Sequence, residues 1–456
     1  MILLASLSFL GYRDVSTDVY PEYIVGEGDF LSIVADKFST TVDAILEINN
    51  IPNADSVLVG DRIKIPSLKG IAGVISTESV KIGDTIRNIS IQSDMSEEKI
   101  IEINRITSPS EIYAGSTLTI VQNPNSDAFS SVDFFDQGQT LIEKSVLQNA
   151  NPLVLEKINQ LNGSWDISDK LLLYAKVSGD SNPVIRSVSP LVDILEIKQL
   201  PLTQGETHVV HIRTPYNLTF SGTVDNQDLR FFQDIEDSAD WYALFGIDAM
   251  EDTGLTDFAV YGSDPEGNAF ELEQKVIIAA RQFVSEVVEG VDASTLEDYT
   301  NQIDDQTLST IVQTSPARSW GSYLSYPVDE PCFASGFGNH RTYNSGSYQN
   351  YHTGVDFSVC KAANLNIYAA ADGEIVFAGL LPIHGGHTII DHGWGVYSTY
   401  SHQAEIFVTA GQTVKRGDLI GIIGSTGRSV GPHLHWEVKI NGVYVNPMTW
   451  LNTTFP

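Results

Sequence analysis

The sequence predicts a multidomain chain of mixed class: small strand–helix–helix–strand modules, a β-sandwich-like middle domain, a helical connector and a C-terminal, mostly antiparallel β domain. Three observations lead there. At 456 residues the chain is longer than one hydrophobic core fills, so about three domains are expected. A motif in the first third recurs at an offset of 55 residues, pairing Gly28 with Gly83, Asn49 with Asn104 and Gly60 with Gly115. Eight of the ten histidines follow residue 339, among short apolar runs and glycines that read as β-strands and turns.

The bulk composition excludes some functions. A formal net charge of -32, spread along the chain, argues against nucleic-acid binding, which needs a basic surface to neutralise phosphates. No apolar run reaches the roughly 18 residues of a membrane-spanning helix. Residues 1–22 open with "MILLASLSFL", a short apolar run with no basic residue before it. That pattern reads as an export-signal remnant or as an N-terminal strand.

The first module spans 23–67, the second 78–122 and a degenerate third 132–175. After the Gly-Asp turn of the first, Leu31, Val34, Ala35 and Phe38 recur at helical spacing, as do Val42, Ile45 and Leu46; "RIKIP" then alternates as a strand. The third copy keeps Gly138 and Asn159 in register but lacks the Gly-Asp pair and the late glycine. This arrangement resembles the LysM module. The resemblance implies binding of N-acetylglucosamine-containing glycans such as peptidoglycan, without saying which residues make the contact.

From 183 to 280, alternating runs separated by Gly, Asn and Asp turns predict a β-sandwich. His208 and His211 in "HVVHI" face opposite sides of such a strand and are expected to be structural. Residues 281–327 contain "FVSEVVEGV" and "LSTIVQT", with apolar positions at helical spacing, and are expected to form a helical connector.

The remaining segment, 328–456, carries the chemistry. In "GPHLHWEVKI" His433, His435 and Glu437 alternate with Leu434, Trp436 and Val438, the pattern of a half-buried strand with both imidazoles on one face. In "YHTGVDF" His352 and Asp356 are four apart, sharing a face if the stretch is a strand, with Gly354 leaving room for a ligand. These two and one histidine of the later pair make three protein ligands with a fourth position open, the composition of a catalytic zinc site. Cys332 and Cys360 flank the first half of it, as a disulfide or as two inert thiols, and export would favour the disulfide.

The blocks "SGFGNHRTY", "HTGVDF", "IYAAADGEIVFAG", "IIDHGWGVYSTYSHQ" and "VKRGDLIGIIGSTGRSVGPHLHWEV" together resemble the lysostaphin/LytM-type zinc metallopeptidases, which cleave peptide cross-bridges of peptidoglycan. The resemblance implies Zn2+ held by His352, Asp356 and His435, with His433 as general base and His402 stabilising the oxyanion. It also suggests transition-state support from Tyr348 and Tyr351, and a hydrogen bond from a ligand to Glu437. No HExxH is present, so a glutamate-based mechanism does not apply. Both resemblances imply one substrate: an extracytoplasmic hydrolase, in the cell envelope, the periplasm or the medium, held on glycan strands by its repeats while it cuts stem-peptide cross-links. The alternative is a catalytically inactive relative that activates another wall hydrolase; against it, all five site positions hold the expected residue.

Overall fold

The computed structural model describes residues 19–122, 129–168, 171–176, 188–309, 311, 315–321, 323–346 and 349–456. Residues 1–18, most of the segment read as an export-signal remnant, lie outside the described residues, as does Tyr348. Among the described residues no helix is long and apolar enough to cross a membrane.

All three repeats fold as strand, two helices, strand. The first runs Glu22–Ile24, Leu31–Lys37, Val42–Asn49 and Arg62–Lys64. The third, despite its weak sequence match, runs Phe129–Phe134, Leu141–Leu147, Pro152–Ile158 and Leu172–Lys176. Four of the six repeat helices start where a side chain takes the orphan amide three residues on, the acceptors being Thr41, Thr85, Ser96 and Thr140.

The repeated asparagine explains the repeat. Asn49 Nδ2 donates to the carbonyls of Ile45 and Lys64 at 2.8 and 2.9 Å, while its Oδ1 accepts from Lys64 N at 2.7 Å, tying the second helix to the last strand. Asn104 does the same with Ile100 and Thr119, and Asn159 with Leu155 and Tyr174. The turn before the first helix is held by Asp29 and Asp84, which accept from Gly26 N and Lys81 N. In the third copy Gln139 stands in, accepting from Asp136 N at 3.1 Å, so the turn keeps a side-chain bond without the aspartate.

The first two repeats share one four-stranded sheet, joined where Glu22 pairs with Val74. The third packs Phe134, Leu172 and Tyr174 onto Ile91 of the second.

The middle domain is a sandwich of a five-stranded and a four-stranded sheet over a core that includes Val210, Ile212, Phe245, Phe258, Val260 and Val276. His208 and His211 take opposite faces of the strand Thr207–Arg213. His208 accepts from Thr203 N at 3.0 Å, and His211 sits between Glu196 and Asp240. One side of the sandwich packs on the C-terminal domain: Phe232 stacks on Trp394 at 5.6 Å, and Val209 and Leu244 belong to the C-terminal core.

The connector corrects the sequence reading. "FVSEVVEGV" is not helical; Ser285–Val288 is a strand that pairs in parallel with His340–Tyr343. Its valines lie at strand as well as helix spacing, and an open sheet edge beside it decided between the two. The helix comes later, at Asp298–Ser309, preceded by a 3-10 turn at Ala293–Leu296.

The C-terminal domain is a large antiparallel sheet in which Val355–Ser358, His433–Ile440 and Val396–Ile406 lie side by side. The strand His433–Ile440 is more deeply set than its alternation implied, since His435 and Glu437 are buried as well as Leu434, Trp436 and Val438. Cys332 and Cys360 form a disulfide across the edge strand.

Candidate metal centre and active site

Strand register builds the centre. Asp356 pairs with His435, and His435 pairs on its other side with Ser401, one residue before His402. His352 lies outside these strands, in the link between Gln349–Tyr351 and Val355–Ser358, so it reaches Asp356 around a corner rather than along one strand face. Gly354 does not make room for a ligand. A Cβ there would run into the carbonyl of Trp436 and the side chains of Glu437 and His435, so the glycine is needed for the close approach of the two chains.

The three expected ligand residues come together. His352 Nε2 is 3.0 Å from Asp356 Oδ1 and 2.9 Å from His435 Nδ1, and His435 Nδ1 is 2.9 Å from the same Oδ1. Their outward atoms define which protons they carry. His352 Nδ1 donates to the carbonyl of Gly336 at 2.7 Å, and His435 Nε2 donates to Glu437 Oε1 at 3.0 Å. Both partners only accept, so the inward nitrogens carry lone pairs. Two lone pairs and a carboxylate oxygen facing one point cannot satisfy one another; they fit a cation. Burial opposes charge on His435, but the carboxylates of Glu437 and Asp356 outweigh it and push its pKa up to about 9, so its inward nitrogen is a place for positive charge, filled by a proton or by the cation that displaces it.

Charge around the point is balanced by residues the sequence reading passed over. Arg341 Nη2 donates to Asp356 Oδ2 at 2.6 Å, and its Nε donates to Glu286 Oε1 at 2.5 Å. Glu286 belongs to the strand misread as a helix, and Arg341 sits unremarked within "NHRTY". Reading "VSEVV" by alternation instead of helical spacing would have put Glu286 on the face opposite Ser285 and Val287. Glu437 is fully buried and accepts from the hydroxyls of Thr353 and Thr399, which hold it against His435.

His402 and His433 adjoin the centre, their rings 4.7 Å apart. Each uses Nδ1 on a backbone carbonyl, His402 on Thr426 and His433 on Gly431, both at 2.8 Å, which leaves Nε2 with a lone pair. His433 Nε2 is 3.7 Å from Asp356 Oδ1. Burial, and then the neighbouring imidazoles of His433 and His435, hold His402 well below the usual histidine range, so it is neutral. A cavity of about 270 Å³ opens here, lined by His352, His402, His435, Tyr351, Arg428 and, from the connector helix, Asp304.

Tyr351 lines this cavity, but its hydroxyl donates to Asp248 of the sandwich at 2.7 Å, and burial beside that carboxylate raises its pKa. The neighbouring C-terminal histidines are held by the fold. His387 and His392 are fully buried, His392 between Asp372 and Ser398, while His384 is held by Asp304 at 2.6 Å.

Comparison with known proteins assigns these parts. Residues 350–447 match Peptidase family M23, and residues 23–66 and 79–121 match the LysM domain, so the chain carries an M23 peptidase domain and two LysM domains. It is 43% identical over 98 residues to the DD-carboxypeptidase/endopeptidase Mpg of Neisseria meningitidis, covering 22% of each chain. It is 35% identical over 128 residues to the peptidoglycan DD-endopeptidase ShyA of Vibrio cholerae, covering 28% of this chain and 29% of that one. Against ShyC of the same organism it is 28% identical over 186 residues, 40% of this chain and 42% of the relative. The chain thus spans less than half the length of these curated relatives.

Proposed function

We propose that this chain, with an M23 peptidase domain behind two LysM domains, is an extracytoplasmic zinc endopeptidase that cuts peptide cross-links of peptidoglycan while bound to its glycan strands. The observation that carries this reading is the convergence of His352 Nε2, Asp356 Oδ1 and His435 Nδ1 within 3.0 Å of one another, with each imidazole's other nitrogen given to an acceptor. Two nitrogens and one carboxylate oxygen suit zinc and leave a fourth position open. Bound there, zinc supplies an activated water and polarises the scissile carbonyl.

The proton work falls to the chain's own imidazoles. His433 Nε2, beside the ligand cluster and free to accept, takes the proton and returns it to the leaving amine. A neutral His402 with its Nδ1–H on Thr426 has no second N–H for an oxyanion. It therefore fills that role only by sharing the proton with His433, whose ring is 4.7 Å away. Tyr351 can lend its hydroxyl only if Asp248 releases it.

The relatives named as DD-endopeptidases favour D,D-type cross-links as the bond cut. The LysM domains and these relatives support a location outside the cytoplasm. The test is mass spectrometry of fragments released from purified walls by the zinc-loaded chain. Cross-linked dimers should become monomers, and chelator or His435→Ala should stop it. Folded, metal-loaded protein that releases nothing would point instead to an activator of another hydrolase.

A further inference from the structure

The two matched LysM repeats are not equivalent. Their corresponding loops, related by the 55-residue offset, meet different surroundings. In each repeat the loop after the first strand and the loop before the last are drawn together by one backbone bond, Gly60 N–H to Val25 in the first and Gly115 N–H to Val80 in the second.

In the second repeat this loop pair is spent on the β-sandwich. Ala114 pairs in parallel with Val276, donating to the carbonyl of Lys275 at 3.1 Å and accepting from Ile277 N at 3.0 Å. Gly83 N donates to Gln274 Oε1 at 2.9 Å. Ile82 and Ala114 are buried in the sandwich core, and a Cβ on Gly115 would lie 2.9 Å from Pro201. The matching positions of the first repeat face solvent: Glu27 for Ile82, and Val59, 67% exposed, for Ala114. A Cβ on Gly28 or Gly60 would meet nothing within 4 Å. Phe30 and Leu58, at 66% and 67% exposure, complete an apolar surface on these loops.

We propose that the two repeats divide their labour: the second is a joint whose loop pair is filled by the sandwich edge, and the first, whose matching loop pair is open, alone of the two takes N-acetylglucosamine-containing glycan. The proposal rests on the glycan-binding reading above. The second repeat shows what this loop pair grips, an extended backbone offering a carbonyl and an amide. In the first, the same backbone positions flanked by Phe30, Leu58 and Val59 are presented to a partner with amide and hydroxyl groups and apolar ring faces. An N-acetylated sugar strand has that chemistry.

The experiment uses the full chain and a soluble N-acetylglucosamine pentamer, with calorimetry for affinity and hydrogen exchange for location. Binding should slow exchange at 26–30 and 57–60 and leave 81–85 and 112–116 unchanged. The double variant Leu58→Ser/Val59→Asp, at exposed positions that do not disturb the fold, should lose at least about tenfold in affinity while cleaving a soluble cross-linked peptide as before. Undiminished binding in that variant, or protection at 81–85 and 112–116, would overturn the division of labour. A parent chain that binds no pentamer, yet still cleaves the soluble peptide, would instead overturn the glycan reading beneath it.

Discussion

Arg341 and Asp356 share one carboxylate oxygen between them: Nη2 donates to Oδ2 at 2.6 Å, and Oδ1 is left for the two histidines. Arg341 is held in turn by Glu286, so a residue of the connector strand orients a ligand of the centre. Such outer partners set the charge and direction of a ligand without touching the metal. Arg341→Met should weaken zinc binding about 10- to 100-fold, read by competition with a chelating dye. Glu286→Gln should weaken it less, because Arg341 keeps Asp356. Unchanged affinity in Arg341→Met would remove the residue from the centre.

The ligands and the proton carriers should separate on mutation. His352→Ala and Asp356→Ala should lose metal and turnover together. His433→Ala should keep about one metal per chain, by elemental analysis, while turnover falls about 10²- to 10⁴-fold. Loss of metal from His433→Ala would reverse the assignment of the His433 and His435 pair.

Acid should loosen the sandwich through His208. Burial holds His208 at about 4 in the fold, below the 6.5 of an exposed imidazole, and its Nε2 accepts from Thr203 N only while unprotonated. Between those values the unfolded chain binds the proton and the folded one does not, so stability falls as pH drops from 6.5 towards 4. The loss is on the order of 3 kcal/mol across the window. Denaturant melts at pH 7 and pH 4.5 should show it, and His208→Gln, whose side-chain oxygen can still accept from Thr203, should flatten the slope.

The third repeat should depend on its asparagine as the matched repeats do. Asn159 is buried and makes three backbone bonds, to Leu155, Tyr174 and back from Tyr174 N. Asn159→Ala leaves those groups unpaired, at a cost of about 1–3 kcal/mol. Hydrogen exchange at the Tyr174 amide should accelerate accordingly, while the amide of Thr119 in the second repeat keeps its protection.

Much of this was legible in the chain. The offset of Gly28, Asn49 and Gly60 identified the repeats because each residue answers a local need: a turn with positive φ at the glycines, and a bracket between helix and strand at the asparagine. The alternation in "GPHLHWEVKI" placed His433 and His435 on one strand face for the same kind of reason, since side-chain direction along a strand is set by the neighbouring peptide. Where the local pattern was ambiguous the reading failed, as in "FVSEVVEGV", whose valines suit either period.

By itself the sequence determined the modules and the histidine-rich segment, through local periodicity and donor types at fixed spacing, while the resemblance to a known family pointed to His352, Asp356 and His435. Tertiary structure decided the rest. It brought Glu286 and Arg341 to Asp356, committed Tyr351 to Asp248, and closed the second repeat's loops on Val276 while leaving the first repeat's open. Those contacts join residues far apart in the chain, and their strength depends on burial and partner geometry that no local pattern encodes.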